Sequence, residues 1–434
     1  MRDPRIVALR RIPSAVVEAF WKRVNGVIGS DSQNALAVRV AKAETIVRAY
    51  YVYLMAASYF RITETTAAWV NDRSVQTHLE LALSSWLPLG TWREVAVGCA
   101  VLMLVASLLA ATIPRWRIPR IMAIASFLLL EAMKFDEINK ISHASHPLIW
   151  LGIAFCFLPS SKNDSSERPR EYLASFFGAQ VLVCFLYSVA GLSKVIGIAY
   201  DWHQGVTWLN PEALPLVLSD HWRLAAYRLA GAFFVSSPLA SWLSNVGVLY
   251  LEIGTFFAVF RPRLHRPWAF GLLVMHAMVL LTIGIPFWPS AFTVGLILLA
   301  SPFAPAKLEL KETLLDLPIV SFVYQWLRAR AAGDDQKEPQ KDAAWVPSSK
   351  VMKLWVPVLV VVYLCVAFGR LGKQEIYPVS ALPMFMRINS TAENVEELNR
   401  IRSEIDEHGY SAKARTAAEK REKKERGERG AKAE

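Results

Sequence analysis

The chain has little of what soluble cofactor chemistry is built on. It contains no GxGxxG turn, Walker loop, HExxH helix or GxSxG elbow in a fitting context, so the phosphate cradles, zinc ligands and activated nucleophiles of those motifs are excluded. It has only four cysteines, Cys99, Cys156, Cys184 and Cys365, each inside an apolar run and none in a CxxC pair. A disulfide framework and a thiolate zinc site are excluded, and the thiols read as small core residues. No module interleaves aromatic and basic residues, which argues against nucleic acid as a partner. No internal repeat is visible, which argues against a transporter built from repeated halves. The first twenty residues are basic but lack an apolar core and a small-residue cleavage site. They read as an amphipathic segment on the cytoplasmic face of a membrane, not as a signal peptide.

Apolar residues, by contrast, are abundant. Of 434 residues 54% are hydrophobic and only 20% charged, with a net charge of +11. That balance is too apolar for an ordinary soluble chain and points to a membrane protein. Runs approaching the length of a helical crossing occur at 45–60, 95–113, 118–133, 147–159, 172–192, 239–260, 268–287, 291–303 and 354–368. The expected fold is therefore all-α, a polytopic integral membrane helical bundle of about nine transmembrane helices. The Lys and Arg residues cluster between the runs: in the N-terminal segment, around Arg115, Arg117 and Arg120, and in 162–170, 261–266 and 307–350. By the positive-inside rule these connections are cytoplasmic. Residues 61–93, 134–146, 193–237 and the turn at Trp288 and Pro289 then fall outside. The predicted organisation is a basic N-terminal segment (1–43), a membrane domain (44–386) holding a polar cytoplasmic loop (306–350), and a charged C-terminal tail (387–434), helical or disordered. The location is the inner or plasma membrane, with the N-terminus cytoplasmic and the C-terminus external.

Ionisable groups inside such runs are rare and usually face the bundle interior. Lys194 ends the run YSVAGLSK. Tyr187, Gly191 and Lys194 are spaced i, i+4, i+7 and share one helix face. A lysine in hydrocarbon costs about 2.5–3.5 kcal/mol even on the insertion scale, and removal of water favours the neutral amine, a usable base. The bland alternative is a helix-end lysine snorkelling to the interface. Asp201, Trp202 and Gly205 form a turn just beyond, which an interfacial aromatic anchor would also explain, as would Trp208 nearby. His143 and His146 form an HxxH pair before the fourth run. Lacking a third ligand, they fit a polar helix start with Pro147 in its first turn better than a metal site. Glu252 and His276 lie within later runs, and Glu252 is a natural partner for a lysine or histidine.

The stretch AGLSKVIGIAYDWHQG resembles the signature of the HTTM family, the membrane domains similar to that of vitamin K-dependent gamma-glutamyl carboxylase. Ala190, Gly191, Lys194, Asp201, Trp202 and Gly205 match its lysine helix end and its D-W-x-x-G turn. HASHPLIW, HAMVLLTIGIPFWP and YPVSALPMFM follow the same order as further stretches of that family. The resemblance covers roughly residues 44–386. It implies a membrane-embedded lyase-like enzyme using a reduced quinone of the vitamin K or menaquinol type. Lys194 would be the base that deprotonates the quinol. His143, His146, Tyr187, Trp202 and His276 would line the cofactor pocket, and Gly191, Asp201, Gly205 and Glu252 would shape it. The chain departs from the carboxylase in a longer spacer between Lys194 and Asp201, in Ser193 preceding Lys194 where that enzyme pairs two lysines, and in a short charged tail where a large luminal domain would stand. The rival expectation is a non-enzymatic membrane partner or protection module that keeps the fold.

Overall fold

The computed structural model describes residues 22, 24–28, 33–68, 92–138, 145–159, 168–201, 207–221, 228–332 and 392–408. Among them every regular element is a helix: α1 Gln33–Ala68, α2 Trp92–Thr112, α3 Arg117–Ile138, α4 His146–Phe155, α5 Arg168–Asp201, α6 Ala213–His221, α7 Arg228–Ser236, α8 Pro238–Val259, α9 His265–Ile283, α10 Trp288–Val294, α11 Leu310–Leu315, α12 Pro318–Ala332 and α13 Ala392–His408. The predicted span 354–368, the segment 377–386, His143, Trp202 and Gly205 lie outside the described residues.

Among the described residues four stretches, Glu94–Thr112, Pro169–Ile196, Pro238–Val259 and Pro262–Ile283, are long and apolar enough to cross a membrane. The other expected crossings that lie within the described residues do not meet that test, and the reasons are local. The run 45–60 sits inside the 36-residue α1, which also carries Lys42, Glu44, Arg48, Arg61 and Glu64. Helix α3 likewise ends on Glu131, Lys134, Asp136 and Glu137. Helix α4 has 10 residues, about 15 Å of rise against a hydrocarbon core of about 30 Å. The apolar helix Trp288–Leu299 is similarly short.

Helix α2 hides small residues and shows bulky ones. Ala96, Ala100, Met103, Ser107 and Ala110, spaced i, i+4, i+7, i+11, i+14, are buried, while Val101, Leu102, Val105, Leu108 and Leu109 are exposed. Small residues inward and bulky aliphatics outward is the reverse of a water-facing helix, and it suits close packing between helices in lipid. Helices α8 and α9 repeat it with exposed Leu239, Leu243, Phe257 and Phe270.

The chain divides into two compact units. The first comprises Met1–Ser188, Gly254–Leu272 and Trp288–Leu382, the second Val189–Ile253, Leu273–Phe287 and Pro383–Glu434. In the first, α1, α2 and α3 pack in succession. Tyr50 of α1 donates its hydroxyl to the Leu148 carbonyl at 2.9 Å, an approach that Gly152 allows, because a Cβ there would collide with Tyr50 Oη. Behind it Phe155, Phe176, Phe177, Phe260 and Phe303 form a chain of ring contacts.

Arg120, grouped by sequence with the orienting cations, is fully buried. Its guanidinium donates to the carbonyls of Phe155 at 2.6 Å and Leu158 at 2.9 Å, closing the C-terminal end of α4, where a cation is favoured. Lysine at this position offers one nitrogen where the guanidinium uses two to reach the two carbonyls. Arg120→Lys is expected to cost about 1.5 kcal/mol, the worth of one charge-assisted hydrogen bond, read as a lower melting temperature of the reconstituted protein.

In the second unit α6 and α7 pack on each other and on α13. Its core gathers Ile198, Trp208, Ala213, Leu216, Leu218 and Val235 with Leu398 and Ile401 of α13, and Arg402 pairs with Glu212 at 2.6 Å. Residues 392–408 of the charged tail are thus a packed amphipathic helix. The segment expected as a polar loop, 306–350, carries α11 and α12, and α12 is apolar over most of its exposed surface.

Candidate functional site: a buried lysine–glutamate pair

Helix α5 stays helical through Lys194 because its last turns offer no proline, and Gly191 is the sole glycine before Gly197 in 189–197, tolerated where a neighbour must come close. That neighbour is α8. A Cβ on Gly191 would lie 2.7 Å from Ile253 Cγ1 and 2.9 Å from Glu252 Cβ. The close approach sets Lys194, one turn on, against Glu252. Lys194 Nζ donates to Glu252 Oε1 at 2.6 Å and to Oε2 at 2.5 Å. The two residues are only 4% and 7% exposed, so this is a desolvated pair and not a surface bridge. Its strength depends on geometry and on having both partners present.

Trp208 completes the cluster. Its ring centroid lies 5.7 Å from Lys194 Nζ, within reach of a cation–π contact, and the indole is itself buried among Ile198, Leu216 and Leu249. Sequence favoured Trp202 as the functional tryptophan and treated Trp208 as an interfacial anchor. The structure puts Trp208 against the lysine, while Trp202 lies outside the described residues. No motif singles out Trp208, because its approach depends on the fold of residues 207–213 and not on spacing from Lys194.

The remaining predicted residues are placed as follows. His276 is 9% exposed and stacks on Phe287, with ring centroids 5.7 Å apart. His276, Val279 and Ile283 share one face of α9, and Val279 and Ile283 pack into the same core as Trp208. Gly284, at φ 77°, then ends the helix in the left-handed conformation that glycine adopts freely. Tyr187 belongs to the first unit, where its hydroxyl donates to the Ser290 carbonyl at 3.4 Å. His146 opens α4, also in the first unit, with Ser145 at the N-cap and Pro147 in the first turn. Asp201 is the last residue of α5.

A further polar group went unremarked in the sequence. Asn245 is 2% exposed, and its Nδ2 has no hydrogen-bond partner among the described residues. Asn245, Leu249 and Glu252 are spaced i, i+4, i+7 and share a face of α8. An amide inside an apolar run is a signal of the same kind as Glu252. Among the described residues no three His, Cys, Asp or Glu side chains gather as metal ligands.

No protein-family model, curated protein or solved structure matches this chain.

Proposed function

We propose that the chain is a polytopic membrane protein of the HTTM type, with about nine crossings, in which the Lys194–Glu252 pair handles protons for a lipid-borne quinol. One observation carries the reading: a cation and a carboxylate, both almost wholly buried, meet at 2.5–2.6 Å beside an indole ring. Paired ionisable groups in an apolar bundle mark proton paths by default.

The residues suit a quinol on three counts. Trp208 offers a flat apolar face next to the amine. The stacked His276 and Phe287 offer a second aromatic surface in the same unit. Asn245 Nδ2 is a buried donor of the kind a quinone oxygen accepts from. The Nζ–H···Oε hydrogen bond is a ready transfer route. Lys194 Nζ and Glu252 would hold and relay a proton beside the hydroxyl of a bound quinol, with Lys194 as the base, and a reduced quinone would supply the redox chemistry toward oxygen. The topology draws support from α13. It packs on α6 and α7, which agrees with residues 392–408 sharing the external side expected for the connection that carries those two helices.

The rival reading, a non-enzymatic partner module, is favoured by the closeness of the pair. A carboxylate holding Nζ through both oxygens also serves as a plain lock between α5 and α8. Reduced vitamin K or menaquinol, supplied with oxygen to the purified full chain in lipid nanodiscs, separates the two. The expected result is epoxide or quinone formation above a protein-free control, lowered about 100-fold or more in Lys194→Ala, the usual range for loss of a general base. Equal traces from wild type, variant and empty nanodiscs would leave only the lock.

A further inference from the structure

Helix α12 hides a serine and shows its apolar residues. Ser321 is buried, whereas Ile319, Phe322, Val323 and Trp326 are 63%, 72%, 45% and 51% exposed. Those four are spaced i, i+3, i+4, i+7 and form one stripe. Val320, Tyr324 and Leu327 widen it, all exposed as well. A water-facing helix does not present such a surface, and soluble proteins rarely leave an apolar patch of this extent bare. At 15 residues the helix rises about 22 Å, too short to cross a bilayer.

Its position is fixed by what its start touches. Pro318 Cγ lies 3.7 Å from where a Cβ of Gly254 would stand. Gly254 is in α8, five residues before that helix ends at Val259, a depth of about 7.5 Å inside an apolar, membrane-length segment. Interfacial helices bury their apolar face by about 5–10 Å. The α11–α12 segment is also tied to the turn that joins α8 and α9. Arg261 donates to the Asp316 carbonyl at 2.8 Å, Arg266 to the Ala306 carbonyl at 3.3 Å, and Arg263 pairs with Glu312 at 3.1 Å.

Charge gives the occupant. Arg261 and Arg263 contact this segment and Arg266 contacts Ala306 just before it, while Lys307 precedes it and Lys311 and Arg330 lie within it. Of its carboxylates, Glu312 and Asp316 already face Arg263, leaving Glu309 exposed. Arg330 lies 4.8 Å from the Trp326 ring, the pairing of cation and indole expected at the headgroup level. Next to the α12 start is an open cavity of about 550 Å³, whose lining includes Arg39, Lys42, Arg263 and Asp316.

From this we infer that α12 lies in the plane of the membrane, on the side of the basic connections, with its apolar stripe among the acyl chains and its basic surroundings bound to anionic phospholipid headgroups. The inference rests on the membrane-length helices and not on quinol chemistry.

Two measurements on the full chain in nanodiscs test it. A fluorescent NBD label on Phe322→Cys, in a background whose native cysteines are replaced and whose melting temperature matches wild type, is expected to be quenched by lipids brominated on their acyl chains and shielded from aqueous iodide. Titration of detergent-purified protein with phosphatidylglycerol, followed by native mass spectrometry, is expected to show retention over phosphatidylcholine. Lys42→Ala and Arg330→Ala should each weaken that retention about fivefold, the equivalent of about 1 kcal/mol per cation at an anionic surface. Iodide quenching as strong as at an exposed loop would overturn the proposal. So would equal retention of the two lipids, or equal stabilisation by soluble glycerol phosphate. A label shielded from both quenchers, with a dimeric mass, would place a second copy of the chain on this face and overturn it too.

Discussion

Glu252→Ala is expected to lower the stability of the reconstituted protein by about 3–5 kcal/mol, the cost of stripping one partner from a buried ion pair. The loss comes less from the bond removed than from the ammonium left behind. Lys194 is 4% exposed, so its charge stays desolvated with no carboxylate to face. The double variant Lys194→Met, Glu252→Leu removes both charges at similar volume and should recover most of the loss, since apolar replacements of buried pairs are commonly neutral or better. An SDS titration or thermal melt of wild type, both single variants and the double variant closes the cycle. A single-variant cost under about 1 kcal/mol, the range of exposed pairs, would mean that the pair is solvated. The same proteins divide the two functional readings. If the pair moves protons, the double variant folds and loses quinol oxidation; if it only locks two helices, the double variant keeps whatever the wild type does.

Sequence reached the class of the fold and the two charges at the centre of the site, but not the way they meet. Apolar runs separated by basic clusters pointed to an all-helical chain, and among the described residues four helices are long and apolar enough to cross a membrane. The count of crossings was harder to read. Hydropathy alone does not separate a run that crosses lipid from one buried against protein, as the 10-residue α4 and its Arg120 cap illustrate. Lys194 and Glu252 stood out because charge in an apolar run demands a reason. Their pairing, across 58 positions, depends on the packing of α5 on α8, which periodicity cannot report. Trp208 and Asn245 were missed for related reasons. Tryptophan is common at membrane boundaries, and a lone amide carries no formal charge to draw attention. In α12 a basic neighbourhood dominated the reading of the 306–350 connection, yet its apolar residues recur at helical spacing.

Gly191→Ala is expected to cost about 3 kcal/mol, the upper end of the range for overpacking a filled core. The added methyl would sit 2.7 Å from Ile253 Cγ1, 2.9 Å from Glu252 Cβ and 2.9 Å from the Ile253 backbone nitrogen. A Cγ1 can rotate away, but a Cβ and a backbone nitrogen move only with their helix, so α8 must shift. Because Glu252 is one of the atoms struck, the shift stretches its bonds to Lys194. The two losses should therefore not add: in the Glu252→Ala background, Gly191→Ala costs at least about 0.5 kcal/mol less than in wild type, the signature of coupled neighbours. Ile253→Ala removes one of the three clashes and should restore only part of the stability. Gly247→Ala on the same helix is the control, for a Cβ there meets nothing within 4 Å; its stability should stay within about 0.5 kcal/mol of wild type. If Gly191→Ala is as silent as Gly247→Ala, α5 and α8 are not in contact at this turn. The lysine and glutamate would then have no scaffold holding them together, and both the lock and the proton path would fail with it.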